Sequence, residues 1–351
     1  MSEKRIAIAT AQVPFVTGGA EVLATSLREA IAAAGHHADV VALPFKWYPA
    51  VEIPKQVLMA RLVDLSEANG RRIDRVIALK FPAYCVRHPD KVIWLLHQHR
   101  PAYELWGTAD CDLMRFPEGR EVRDFIHAAD RRFIGEARAV YGISREVVGR
   151  LDALPNVDRR PLYPPPERAE TFRCDEYGDY VFFPSRITPY KRQLLLIDAM
   201  ARVRSPIRCV IAGAAADPDI AFHVEHRRNT HGLHDRVQLL GEISHEAKIG
   251  YYARALAVFF GPVREDYGYV TLEAFLSRKA VISCTDSGAP LEFVEDGVNG
   301  FVVEPDPQAI ADKLDALYAD RSRARSLGEA GLDTYRAKGV SWEAVLSRLL
   351  A

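Results

Sequence analysis

Short β-branched runs return along this chain at intervals just long enough to hold a helix. The first series is "RIAIAT" (5–10), "DVVAL" (39–43), "RVIALK" (75–80), "KVIWLLH" (91–97) and "AVYGIS" (139–144). Runs that are apolar on both faces and separated by helical stretches are the pattern of buried parallel strands. Between the first two, Leu23, Leu27, Ile31 and Ala34 form one helical stripe that stops at Gly35, a natural C-terminal cap, so the segment reads as a βαβ unit. The three prolines of "PLYPPPE" (161–167) fit neither a helix nor a central strand and read as a stiff connector. A second series follows: "YVFFPSR" (180–186), "IRCVIAG" (207–213), "RVQLLG" (236–241), "ALAVFFGP" (255–262), "AVISCTD" (280–286) and "GFVVEP" (300–305). The expectation is two successive α/β domains, 1–165 and 166–339, each with a parallel sheet. The closing stretch, about 340–351, packs either on the second domain or back on the first, and the pattern leaves both open.

Composition narrows the function classes. A net charge of -1 with 26% charged residues gives no global field for a polyanion, so no nucleic-acid partner is expected. The cysteines Cys85, Cys111, Cys174, Cys209 and Cys284 are odd in number and never spaced Cys-x-x-Cys, which suggests neither a disulfide framework nor a zinc site. "MSEKRIAIAT" leads directly into a run too short for a signal-peptide core, and no stretch has the length of a membrane span, so a cytoplasmic location is expected. The segment 118–140 mixes Arg120, Arg123, Arg131, Arg132 and Arg138 with Phe125, Ile126, Phe133 and Ile134 at helical spacing. It reads first as a solvated helix with an apolar core face, and leaves open a peripheral contact at the inner face of a membrane.

Four stretches next to strand ends carry chemistry, because ligands of open α/β sheets bind where strands lead into helices. In "VPFVTGGAE" (13–21), Gly18 and Gly19 precede a helix and let backbone amides approach an anion, or simply make a tight turn. In "FPSRITPYKRQ" (183–193), Arg186 and Lys191 stand five residues apart after a strand, a fork and a point charge suited to a diphosphate unless they are merely solvated. In "REDYGYVTLEAF" (264–275), Glu265 and Glu273 have seven residues between them, one in a loop and one about a turn into a helix. They accept hydrogen bonds from sugar hydroxyls, or else are a solvent acid and a helix-surface charge. In "WLLHQHRP" (94–101), His97 and His99 alternate at a strand end, but no third ligand stands at motif spacing and no metal site is expected.

Taken together, these stretches resemble the family 4 glycosyltransferases, retaining enzymes that move a sugar from a nucleotide donor to an acceptor. The resemblance covers nearly the whole chain: Gly18, Gly19 and Glu21 match a Gly-Gly-x-Glu element, Arg186 and Lys191 an Arg–Lys pair, and Glu265 and Glu273 the paired-glutamate motif. It implies an α/β fold of GT-B type, two Rossmann-like domains with parallel sheets facing across a crevice, the first on the acceptor side and the second binding the nucleotide sugar. It further implies that Arg186 and Lys191 hold the donor diphosphate, Glu265 contacts the transferred sugar, Glu273 the ribose, and His97 the sugar near the reacting centre. Ser287, Gly288 and Ala289 match the loop around the sugar, and "LLGEIS" (239–244) the region lining the nucleobase.

The donor implied is a UDP- or GDP-linked sugar, with no essential cofactor and no metal, since no Asp-rich cluster bridges a diphosphate. The acceptor is a glycan, a glycolipid or a small molecule; "YELWGTADCDLMRFPEG" (103–119), with Tyr103 and Trp106, is a stretch able to shape that choice. Three positions depart from the family pattern: Arg192 follows Lys191 where Gly is frequent, Asp266 follows Glu265 where Gly is common, and Ser287 replaces the first of a Gly pair. The rival readings are a nucleotide-sugar epimerase of the same fold and a non-catalytic sugar-binding protein.

Overall fold

The computed structural model describes residues 3–16, 18–108, 111–151 and 156–351. Thr17 of the Gly-Gly stretch and Ala109 and Asp110 of the 103–119 stretch lie outside the described residues. The chain divides into two compact units, Met1–Glu167 with Ser341–Ala351, and Arg168–Val340.

In the first unit the order is β1 (Arg5–Gln12), α1 (Gly19–Ala33), β2 (His37–Pro44), α2 (Glu52–Leu62), a short antiparallel pair β3 (Glu67–Ala68) and β4 (Arg71–Arg72), β5 (Arg75–Lys80), β6 (Lys91–His97), α3 (Gly119–Gly135), β7 (Ala139–Gly142) and α4 (Arg145–Gly149). The five-stranded sheet runs β2-β1-β5-β6-β7, parallel throughout. β1, β5 and β6 are buried along almost their whole length, whereas β2, read from sequence as two-sided, is an edge strand with alternate residues exposed. α1 buries Leu23, Ala24, Leu27 and Ile31; Ala34, expected in that stripe, is its exposed C-cap. Gly35 follows with φ 83°, the left-handed conformation that ends helices.

The second unit continues with β8 (Tyr180–Pro184), α5 (Gln193–Met200), β9 (Arg208–Ala212), α6 (Pro218–Thr230), β10 (Val237–Leu239), α7 (His245–Arg254), β11 (Ala257–Phe259), α8 (Tyr269–Leu276), β12 (Ala280–Cys284), β13 (Gly300–Val303), α9 (Pro307–Ala319) and α10 (Arg321–Ala337). Its six parallel strands are ordered β10-β9-β8-β11-β12-β13. The order reverses between β8 and β11, so the loops leaving these two strands diverge and open a cleft at their carboxyl ends.

The last helix, α11 (Trp342–Leu349), belongs to the first unit. Trp342 packs edge-on against the fully buried Trp94 of β6, with ring centroids 6.2 Å apart. Buried Arg75, at the start of β5, donates to the Leu349 carbonyl at 2.7 Å and holds Asp90 at 2.8 Å. The three prolines Pro164–Pro166 are buried rather than strung out as a free linker. Trp94 Nε1 donates to the carbonyl of Leu162 just before them, at 2.9 Å.

Candidate functional site

In the second unit, three loops meet at the carboxyl ends of β8, β11 and β12. The β8 loop carries Arg186 and then a 3-10 turn, Pro189–Lys191. The β11 loop carries Glu265, and the β12 loop carries Asp286, Ser287 and Gly288 before the turn Ala289–Glu292. Backbone bonds lace them together: Val263 N–H to the Tyr190 carbonyl (2.8 Å), Arg264 N–H to Asp286 (2.9 Å), Glu265 N–H to Ser287 (2.9 Å), and Ala289 N–H back to Glu265 (2.9 Å). Gly288 sits at φ 74°, and a Cβ there would lie 2.8 Å from the Glu265 carbonyl oxygen, so only glycine permits this closeness.

The structure brings Lys191 and Glu265 into direct contact, Nζ to Oε2 at 2.6 Å, with both side chains about one-fifth exposed. The ammonium keeps donor capacity beyond this one bond, and Glu265 is part of the loop cluster rather than a solvent acid. Arg186 is exposed at the head of the same loop, and among the described residues no ion pair engages its guanidinium.

Glu273 is placed differently. α8 starts at Tyr269 behind Gly268, whose φ of 85° and close approach to the Phe260 ring (2.6 Å from a would-be Cβ) again require glycine. Glu273, in the second turn, is only 6% exposed, which removes the alternative of a helix-surface charge. One carboxylate oxygen takes Lys248 Nζ at 2.7 Å and the other the Tyr252 hydroxyl at 2.8 Å, both from α7. Burial and the carboxylate raise the Tyr252 phenol well above its ordinary value, so it stays a donor.

At the strand ends of the first unit stand Gly18, Gly19, Glu21, Lys80 and His97. The Gly18 N–H donates to Glu21 Oε2 at 2.9 Å, so this amide serves the helix start rather than standing open to a ligand. Glu21 Oε1 accepts from Lys80 Nζ at 2.9 Å, tying α1 to the end of β5 where this sheet also reverses order. His97 is half-buried with Nδ1 2.7 Å from the Gln98 carbonyl. His99 is not beside it in a metal pair: it is buried between the Phe45 and Phe81 rings, and desolvation, with His97 adding, pulls its pKa down to about 3. Asp130, on α3, accepts from Tyr84, Tyr103 and Gln98, and burial still raises it to about 6. Among the described residues no group of three His, Cys, Asp or Glu could hold a metal ion, and no helix is long and apolar enough to cross a membrane.

Sequence reasoning did not find Lys80, Lys248, Tyr252 or Asp286. Lys248 and Tyr252 are one turn apart on α7, a spacing common to solvated helix faces, and only their contact with Glu273 distinguishes them.

Residues 169–334 match the family model "Glycosyl transferases group 1". Over 258 residues the chain is 30% identical to a D-inositol 3-phosphate glycosyltransferase of Nocardia farcinica, covering 67% of this chain and 55% of that protein. Over 270 residues it is 25% identical to an exopolysaccharide phosphotransferase of Streptomyces coelicolor, covering 75% of this chain and 27% of that one. The chain thus spans between about a quarter and about half the length of these curated relatives. Among solved structures, sucrose-phosphate synthase from Thermosynechococcus elongatus superposes with a TM-score of 0.77 at 20% identity, covering 99% of this chain and 97% of that one. Anabaena HepE in complex with UDP and glucose gives 0.71 at 18% identity, covering 99% and 98%. The fold is GT-B.

Proposed function

We propose that the protein is a retaining glycosyltransferase of family 4, moving a sugar from a nucleoside-diphosphate donor to a hydroxyl acceptor in the synthesis of a glycan, polysaccharide or glycolipid. The observation that carries this reading is the cluster of Arg186, Lys191 and Glu265 on laced loops at the reversal point of the second sheet, inside the segment that matches the group 1 model.

Arg186 and Lys191 neutralise the diphosphate, and Lys191, already touching Glu265, bridges the phosphate end and the sugar end of the donor. Glu265 accepts from hydroxyls of the transferred sugar. Glu273, fixed by Lys248 and Tyr252, faces the ribose, and the backbone of Ser287, Gly288 and Ala289 lies along the sugar. His97 hydrogen-bonds the sugar near C1, and the first unit supplies the acceptor.

In the transfer, the bond from C1 to the phosphate oxygen breaks and one from C1 to the acceptor oxygen forms on the same face. The acceptor proton passes to the departing phosphate. Positive charge from side chains makes a metal unnecessary. The donor is UDP- or GDP-linked; the UDP complex of HepE, a protein of the same fold, supports a uridine or like nucleoside diphosphate in this cleft.

Calorimetric titration with UDP, GDP, ADP and dTDP, in chelator and then with magnesium, tests the reading. One diphosphate should bind selectively at micromolar level in both buffers, and Arg186→Ala should weaken it by roughly 2–4 kcal/mol. Release of that nucleotide from its sugar should speed up when an acceptor is added, which separates a transferase from an epimerase. Absence of binding to all four would overturn the proposal.

A further inference from the structure

The residue after Lys191 is conformationally out of place. Arg192 sits at φ 64° and ψ 40°, the left-handed region that glycine enters freely and an L side chain resists, and from there it caps α5. A residue held in such a conformation implies something in its surroundings that compensates. Here the compensation is a fork-to-fork pair: the two terminal nitrogens of Arg192 reach the two oxygens of Asp286 at 2.6 Å each. The same guanidinium also donates to the Gly261 carbonyl at 3.4 Å. Asp286 in turn accepts at its backbone carbonyl from Arg264 and directly precedes Ser287. One side chain therefore joins the loops that leave β8, β11 and β12.

We propose that Arg192 and Asp286 form a positioning clamp, which sets the gap between the Arg186–Lys191 segment and the Ser287–Ala289 segment so that the diphosphate and the transferred sugar of a bound donor are held in register. The inference rests on the glycosyltransferase reading and adds to it a pair of residues that touch neither reacting atom. A bidentate pair suits this task because it fixes both distance and angle, as a single ammonium contact does not. The backbone bonds between the β11 and β12 loops hold Glu265 to Ser287, but among the described residues the direct side-chain link from the β8 loop to the β12 loop is this pair.

The geometry separates positioning from plain stabilisation, because Arg192→Gly removes the clamp and relieves the left-handed residue at once. The nucleoside diphosphate is the one that binds the wild type, and turnover is its release from the matching nucleotide sugar, UDP-glucose or GDP-mannose, with water as acceptor. Arg192→Gly should lower kcat roughly 10- to 100-fold. Its melting temperature should stay level or rise, and affinity for the free diphosphate should change less than about threefold, since Arg186 and Lys191 remain.

Asp286→Asn should act in the same direction. The double variant should be no slower than Arg192→Gly alone, the non-additivity of two halves of one contact. Hydrogen exchange of the amides 285–289, read without any ligand, should quicken about tenfold in each variant. A variant that melts lower yet turns over at the wild-type rate, or single effects that multiply in the double variant, would overturn the clamp while leaving the function intact. A wild type that binds no nucleoside diphosphate would instead overturn the functional reading, and the clamp's catalytic role with it.

Discussion

At the residue scale, His99 shows how a strand-end histidine that looks like a ligand becomes part of the core. Its imidazole is neutral between Phe45 and Phe81, with a folded pKa of about 3 against 6.5 when the chain is open. Because the unfolded form binds the proton first, stability is lost as pH falls below 6.5, at about 1.4 kcal/mol per pH unit. Asp130 works in the opposite sense. Raised to about 6, it takes a proton in the folded state before the unfolded one, so stability is gained between about 6 and the ordinary 3.8. The two effects mask each other in the native protein, and a variant separates them. Measured by denaturant unfolding at pH 7 and pH 5, the stability of His99→Phe relative to wild type should shift by roughly 2 kcal/mol in its own favour on acidification. An unchanged difference would mean that the folded imidazole protonates freely. Arg186, Lys191 and Glu265 could be singled out because each follows a strand end within a loop, where spacing along the chain translates into position, and Glu273 because it lies one turn into the helix that the same loop enters. Their partners were not. Lys248 and Glu273 are 25 residues apart and Arg192 and Asp286 are 94 apart, and nothing local to either member marks such a pair.

At the scale of elements, the strands were legible from their apolar runs, while α2 was not foreseen at all. Its buried residues Ile53, Val57 and Ala60 are interrupted by an outward row of Val51, Leu58 and Leu62, so the apolar pattern has no single face to detect. The arginine-rich α3 does turn Val122, Ile126, Ala129 and Ile134 inward as its periodicity suggests, but Phe125 stays partly exposed. With Val57, Leu58 and Phe133 it lines a groove of about 540 Å³ between α2 and α3. The attachment of α11 depends on a buried charge: Arg75 is 1% exposed and spans Asp90 and the Leu349 carbonyl. Arg75→Ala takes from Asp90 its closest donor, leaving it Arg138 at 3.5 Å, and removes the donor to the buried Leu349 carbonyl; it should cost about 1.5–3 kcal/mol by thermal or denaturant unfolding. A loss below about 1 kcal/mol would show that α11 is held by its other contacts, among them Trp94–Trp342 and the bond from Lys4 to the Leu350 carbonyl.

At the scale of the molecule, the two units differ in continuity. The second is one uninterrupted stretch, 168–340, with its own six-stranded sheet, and should fold when expressed alone, as cooperative melting and circular dichroism would show. The first is completed by 341–351, so residues 1–167 alone should melt without a sharp transition; a cooperative melt for that fragment would count against this dependence. The return of α11 also has a consequence in time. On the ribosome residues 1–167 emerge before the second unit, yet the helix that closes their core follows only after the entire second unit has been translated. At about 5–20 residues per second that delay is on the order of ten to thirty seconds, during which the half made first waits incomplete while the half made second is still being synthesised.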